Sequence, residues 1–184
     1  ISILSPTLVV CVLPTLMPGP TPKVIKLDTQ RNVALFSEEI EIPLQPFMGI
    51  MAVAPTKESW MISSRPPWRW GGNMDFNKLT VGATLFLPVF HDGARFYTGD
   101  SHAVQGDGEI NGNALETSMD VEVSVDVIPG RGVPGPRVES DTHIMAMALA
   151  GSLDDAFRAA NSNLVAWLAR DHQLTPSEIA EVMG

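Results

Sequence analysis

Cysteine is almost absent. The single one, Cys11, excludes an intrachain disulfide and any cysteine-rich zinc site. Its neighbours are apolar, an environment that raises a thiol pKa and disfavours a cysteine nucleophile. Positive charge is scarce too: 12 Lys and Arg stand against 21 Asp and Glu, for a net charge of −9. Nucleic-acid binding depends on clustered Lys and Arg, so nucleic acid is not an expected partner. Long apolar runs are also missing. Residues 1–17 come nearest, but Pro6 and Pro14 interrupt them and no Lys or Arg precedes them. A spanning helix needs about 20 apolar residues, so the expectation is a cytoplasmic protein that makes no membrane contact.

What remains is 184 residues, the length of one domain that buries roughly two-thirds of its unfolded surface. Residues 18–22 are a stiff Pro/Gly breaker. Residues 23–27 and 32–36 then read as short strands about a polar turn, and residues 39–42 alternate polar and apolar at period two. Pro43 and Pro46 limit pairing on that side. Residues 49–55 and 84–90 are apolar on both faces and read as buried strands. Residues 56–70 form a loop holding Trp60, Trp68 and Trp70, either packed on the body or walling a small-substrate pocket. Arg65 and Arg69 read as structural. Residues 121–128 give the clearest strand pattern, with Val121, Val123, Val125 and Val127 on one face. Residues 142–150 read as one more strand, with His143 structural. Two helices close the chain. The first is capped near Ser152 and carries an apolar stripe of Leu153, Phe157, Ala160, Leu164, Trp167 and Leu168; His172 after it is expected at the surface. The second starts at Thr175-Pro176-Ser177-Glu178, a capping box with Pro at the first helical position. The expected class is α+β, predominantly β: a β-sandwich or barrel-like body with two C-terminal helices packed on it.

Chemistry concentrates between residues 71 and 116. Residues 99–109 place Asp100, His102, Gln105, Asp107 and Glu109 among Gly99, Gly106 and Gly108. That density of acid, imidazole and amide is poor core material, and it suits a metal or a polarised water. Asn73 and Asp75 follow a second flexible step, Gly71-Gly72. The apolar run 84–90 lies between, and as a buried strand it would bring the two polar turns to one pocket.

Three ordered motifs carry a resemblance. The chain has Gly71-Gly72-Asn73-Met74-Asp75, then an L-x-x-G-x-x-L-x-L-P-V run from Leu79 to Val89. The G-D-x-H-A-x-Q-G-D-G-E cluster from Gly99 to Glu109 follows, with Glu116 seven residues on. This order resembles the acetamidase/formamidase family, hydrolases of short amides with some relatives acting on lactams. The resemblance covers residues 23–184 as an incomplete family domain, whereas residues 1–22 match poorly. Family members extend beyond both ends, so a fragment is expected. Relatives often have Gly where Ser101 stands.

Amide hydrolysis needs an activated nucleophile, a proton for the departing amine and charge stabilisation at the carbonyl oxygen. A divalent metal supplies the first and third. Asp100 and His102 are two apart, so on an extended segment their side chains share a face. They suit oxygen-and-nitrogen coordination of zinc first, with calcium the alternative, and Asp75 from the other turn is the third expected ligand. Glu109 is the candidate general acid/base, with Asp100 and His102 beside it in the catalytic set. Asn73 and Gln105 are candidate substrate binders because an amide both donates and accepts. Glu116 joins them as an orienting group or alternative acid. Each acid taken alone also fits a blander role, since Gly-Asp and Asp-Gly steps are common in turns. A serine nucleophile is disfavoured: Ser101 should point away from His102, there is no G-x-S-x-G elbow, and the Ser-Ser-Lys pattern of amidase-signature enzymes is missing. The expected activity is hydrolysis of a small linear amide, formamide or acetamide, to a carboxylate and ammonia. The alternatives are a non-catalytic metal- or ligand-binding β-sandwich, or a lactam hydrolase on the same fold. Unpaired strand edges lead to the expectation of a homodimer.

Overall fold

The structure is a computed structural model, and it describes residues 2–3, 7–10, 23–56, 66–110 and 112–184. Cys11, Trp60, Arg65 and the breaker 18–22 lie outside the described residues. Among those described, strands dominate and two helices follow at the C-terminal end, giving the expected α+β, predominantly β class. Among the described residues the sheets are open: each has two edge strands and none closes on itself. The chain divides into two compact units. Unit 1 comprises Ile1–Met51, Asn73–Gly82 and Tyr97–Val127; unit 2 comprises Ala52–Gly72, Ala83–Phe96 and Ile128–Gly184.

Unit 1 holds an antiparallel meander of β2 (Thr7–Val10), β3 (Lys23–Asp28), β4 (Val33–Leu35) and β5 (Glu41–Pro43). The alternation in β3 is what sequence requires of a half-buried strand: Ile25 and Leu27 face inward while Val24 and Lys26 face out. The β3–β4 turn uses Asn32 in the left-handed region at φ 56°, and the Asp28 carboxylate accepts the Arg31 N–H at 3.0 Å. Ile25, Leu27, Ala34, Leu44 and Ala103 form a core cluster with Ile42 and Leu115 packed against it. Burying each of the larger aliphatics is worth roughly 1.5–3 kcal/mol.

Ala103 comes to that core from a second sheet, ordered β10-β9-β6-β7. Its strands are β6 (Phe47–Ala52), β7 (Gly71–Asn73), β9 (Tyr97–Val104) and β10 (Leu115–Glu116). Alternation on β9 decides everything downstream. Ala103 enters the core, so His102 must point to the opposite face. The short pair β1 (Ser2–Ile3) and β11 (Met119–Asp120) completes the unit.

Unit 2 holds an antiparallel sheet ordered β13-β12-β8, made of β8 (Thr84–Phe86), β12 (Arg137–Glu139) and β13 (Ile144–Ala146). Helices α1 (Leu153–Asp171) and α2 (Pro176–Met183) have the caps their sequence encodes. Ser152 Oγ accepts the Asp155 N–H at 3.1 Å, and Thr175 and Glu178 form a reciprocal capping box. His172 is the exposed C-cap of α1. Arg137 is fully buried in this unit. Its Nε donates to Asn163 Oδ1 at 2.6 Å and Nη2 to the Asn163 carbonyl at 3.0 Å. Its guanidinium sits over Trp167 at 5.0 Å, and that indole meets Phe86 edge-on.

Three expectations need correction. Residues 121–128 form no strand, and Val123, Val125 and Val127 are 44–66% exposed. A period-two pattern states which side chains would share a face, but a strand exists only through pairing, and no described strand pairs with this segment. The apolar run 84–90 is a strand only at Thr84–Phe86, half-exposed and in unit 2. It therefore does not join the two polar turns, a task that falls to β6. On α1 the stripe is buried at Trp167 and Leu168, yet Leu153 is 89% and Phe157 71% exposed. Periodicity identified the face without showing how far along the helix it is covered.

Candidate functional site

The residues with the densest chemistry converge in unit 1. Asp75 follows β7, Asp100 and His102 lie on β9, Gln105 and Glu109 in the turn after it, and Glu116 on β10. His102 is fully buried and packs edge-on against Phe47 at 4.9 Å. Its Nε2 lies 3.4 Å from Asp100 Oδ2 and 3.3 Å from Glu116 Oε2. Glu116 is the cross-strand partner of His102 in the β9–β10 ladder, at a register irregularity, so the pair meets because of sheet geometry. Two groups of potential ligand atoms share this imidazole, Asp75/His102/Glu109 and Asp100/His102/Glu116. Within each the atoms lie within 4.8 Å of one another.

Every expected site residue is thus in one place, in a grouping that sequence did not give. Asp75 and Asp100 fall in different groups, and Glu109 and Glu116 complete them. Both amides are engaged by the protein itself. Asn73 Nδ2 donates to Asp75 Oδ2 at 2.5 Å. Gln105 Nε2 donates to the Asp75 carbonyl at 2.6 Å, and its Oε1 lies 3.0 Å from His102 Nδ1. Ser101 points away and donates to the Thr117 carbonyl at 2.7 Å, as alternation on a strand requires. Asp107 stands apart from the cluster: it accepts Asn77 Nδ2 at 2.8 Å and faces Lys78 at 3.7 Å, serving as a turn anchor.

Electrostatics mark the cluster as unfinished. Asp75 is pushed up to about 7, first by burial and then by the Glu109 charge. Burial likewise raises Glu109 and Glu116 above the ordinary carboxylate range. Burial alone would lower the His102 imidazole, yet the facing Asp100 carboxylate and the Glu116 and Asp75 charges together raise it. Two ionised carboxylates about 5 Å apart repel by roughly 3 kcal/mol at an effective dielectric near 20. Four acids about one imidazole therefore call for shared protons or a cation. Asp75 Oδ1 and His102 Nε2 are buried with no hydrogen-bond partner, and each such orphan costs about 1–3 kcal/mol. Each atom belongs to a group of potential ligand atoms that could hold a cation.

The backbone is strained at the same place. Asp75, Asp100 and Glu109 adopt φ of 45°, 59° and 43°. For Glu above all this is an uncommon conformation, of the kind surrounding structure must enforce and functional sites retain. Gly49 was missed by sequence reading. A Cβ there would lie 2.6 Å from Asp100 Oδ2, 2.7 Å from Asp75 Oδ1 and 3.0 Å from His102 Cε1. Its carbonyl also accepts the Met74 and Asp75 N–H groups at 2.9 and 3.2 Å. A lone Gly inside a strand pattern signals close approach, and that signal was available at residue 49. Asn77, also missed, is buried and clamps the turn through the Gln105 carbonyl and Asp107.

The tryptophans take a separate path. Trp70 is buried, while Trp68 lines an apolar groove of about 410 Å³ in unit 2 with Arg69, Met147 and Leu149. Arg69 donates to the Pro134 carbonyl at 2.9 Å, a structural contact as expected. That groove brings together no group of potential metal ligands, so chemistry assigns the site to the acid–imidazole cluster.

Residues 59–145 match the model of the acetamidase/formamidase family. Over that stretch the chain is similar to the acetamidase/formamidase family. Over 66 residues it is 46% identical to an acetamidase of Mycolicibacterium smegmatis, covering 35% of this chain and 16% of that one. A recombinant protein of Thermoanaerobacter tengcongensis, described as a predicted acetamidase/formamidase, superposes with TM-score 0.90 and 29% identity. The superposition covers 98% of this chain and 61% of the other. An acetamidase of Yersinia enterocolitica gives 0.86 and 30%, covering 99% and 58%. The chain thus spans less than two-thirds of the length of these family members. Among the described residues, no helix is long and apolar enough to cross a membrane.

Proposed function

We propose that the protein carrying this chain hydrolyses the carbon–nitrogen bond of small linear amides, formamide or acetamide, giving a carboxylate and ammonia with the help of a divalent cation. The observation that carries this reading is the unsatisfied, buried His102 Nε2 amid Asp75, Asp100, Glu109 and Glu116. The names of the family members point to the same substrates. The donor set fits a cation: an imidazole nitrogen and carboxylate oxygens suit zinc, whereas calcium sites are built from oxygens alone. When bound, such an ion polarises the amide carbonyl and lowers the pKa of water.

The chain's own residues do the remainder. Asp100 and His102 on β9 and Glu116 on β10 would hold the cation. Asp75 and Glu109 belong to the other group, and burial raises both carboxyl pKa values, Asp75 to about 7. Glu109 is the freer of the two for proton transfer, since the Asp75 carboxylate accepts from Asn73 Nδ2. It takes the proton from the attacking water and returns it to the departing nitrogen, so that water and amide leave as carboxylic acid and ammonia. General acid/base work of this kind contributes about 10²–10⁴-fold.

The test is ammonia release from formamide and acetamide by the full-length protein, before and after exhaustive chelation and zinc return. Turnover lost on chelation and restored by zinc is expected. Full turnover without metal would refute the cation's part. Zinc uptake with no turnover of any short amide would instead favour a non-catalytic binding protein.

A further inference from the structure

We propose that Gln105 is a positioning residue that fixes the tautomer of His102 and, with the other end of the same amide, holds down the turn bearing Asp75. The proposal rests on reading His102 as a cation ligand. Hydrogen-bond logic assigns the amide. Gln105 Nε2 lies 2.6 Å from the Asp75 carbonyl, an oxygen that can only accept, so the NH₂ must be at that end. The Gln105 oxygen is therefore the atom 3.0 Å from His102 Nδ1. Carbonyl oxygens do not donate, so Nδ1 must carry the ring proton. The lone pair then resides on Nε2, the buried atom that no protein donor satisfies and that faces the carboxylates.

Everything around the amide keeps it there. Gln105 is 7% exposed, and its backbone carbonyl accepts Asn77 Nδ2 at 3.2 Å, which limits movement of the turn. A flipped amide would set NH₂ against a ring nitrogen and oxygen against the Asp75 carbonyl, two lone pairs 2.6 Å apart. One side chain thus joins two segments 30 residues apart and brings His102 from one and Asp75 from the other to the same cluster. Partners that orient a ligating histidine are worth about 10–100-fold in metal affinity.

The experiment is zinc calorimetry with ¹⁵N NMR of the His102 ring, on full-length protein at a pH where the metal-free imidazole is neutral. Wild type should show Nδ1 protonated and Nε2 bare before zinc is added. Gln105→Leu should lose about 10–100-fold in zinc affinity and mix the two tautomers. Gln105→Glu keeps an acceptor for Nδ1 and should keep the tautomer, while weakening the hold on Asp75. An Nε2-protonated ring in wild type overturns the proposal without any variant, so it stays testable even if Gln105→Leu does not fold. Unchanged zinc affinity in a folded Gln105→Leu protein overturns it too, with the cation site left standing. A wild type that binds no zinc while showing the Nδ1–H tautomer refutes the cation reading and leaves the tautomer assignment supported.

Discussion

His102 in unit 1 and Arg137 in unit 2 are both buried with a nitrogen that makes no hydrogen bond among the described residues, and the two burials differ in kind. Arg137 in unit 2 leaves Nη1 without a hydrogen bond. Yet Asn163 takes its Nε and Nη2, Trp167 covers its face, and Asp171 lies 4.0 Å away. Its charge meets an opposite charge and its plane meets a ring, as in a finished structural joint. His102 in unit 1 has only one ring nitrogen served, and the other faces acids that repel one another. A Cβ at Gly49 would press on Asp100, Asp75 and His102, so its absence is what lets these side chains meet. Burial of a polar group therefore says little by itself about function. A buried acceptor facing like charges, brought together where a Cβ is missing, says much more.

The comparison breaks most visibly at Glu109. Glu109→Gln should lower amide turnover about 10²–10⁴-fold while zinc uptake through Asp100, His102 and Glu116 persists. Steady-state ammonia release beside calorimetry checks this, and unchanged turnover would remove Glu109 from the chemistry. Gly49→Ala comes next. The added methyl would sit 2.6 Å from an Asp100 oxygen, inside the space a cation needs, and Gly49 has no left-handed φ to strain. Zinc affinity should fall by at least about 100-fold, as for loss of a supporting group at a metal site, with the protein still folded. Asn163→Leu is the counterpart in unit 2. Removing the acceptor of Arg137 Nε leaves a buried charged donor unmet, at a cost of about 3 kcal/mol, read by urea unfolding. Zinc affinity should not change. If Asn163→Leu abolished zinc uptake, or Gly49→Ala spared it, the distinction between joint and site would fail.

Sequence made the cluster legible because its members are dense and locally encoded: Asp100, His102, Gln105 and Glu109 lie within ten residues. Helix starts were legible for the same reason, since Ser152 and Thr175 cap the turns that follow them directly. Features defined by distant neighbours were not legible. Gly49 matters through Asp75, Asp100 and His102, none of them near it in the chain. Residues 121–128 have a strand's alternation, but pairing partners do not appear in a period. Gln105 has the composition of a substrate binder, and only its contacts with His102 and Asp75 reveal how its amide is used. The Asp75/Asp100 split into two ligand groups likewise needed the β6–β9 pairing to be seen.

The smallest expected effect concerns pH, and its sign sharpens the contrast between the two burials. Asp75, Glu109 and Glu116 have folded pKa values above their ordinary ones, Asp75 at about 7. Free Asp and Glu titrate near 4, so above that the folded metal-free protein holds more protons than the unfolded chain. Its stability must then fall as pH rises from about 4 toward 7. His102 is also raised, so its contribution is complete below its unfolded value, near 6.5, and lost as pH climbs through the folded one. Both effects have the same sign. Asp171, beside Arg170 and the Arg137 joint, is lowered instead; its contribution is present above pH about 4 and lost only below. Thermal unfolding of chelated protein between pH 5 and 7.5 should show Tm declining, and saturating zinc should flatten or reverse the decline, because deprotonated ligands bind it best. Asp75→Asn removes the group raised to about 7 and should shrink the slope, whereas Asp171→Asn should leave it intact. A chelated protein whose Tm rises across that window would mean that the acids about His102 are already neutralised by something other than a cation.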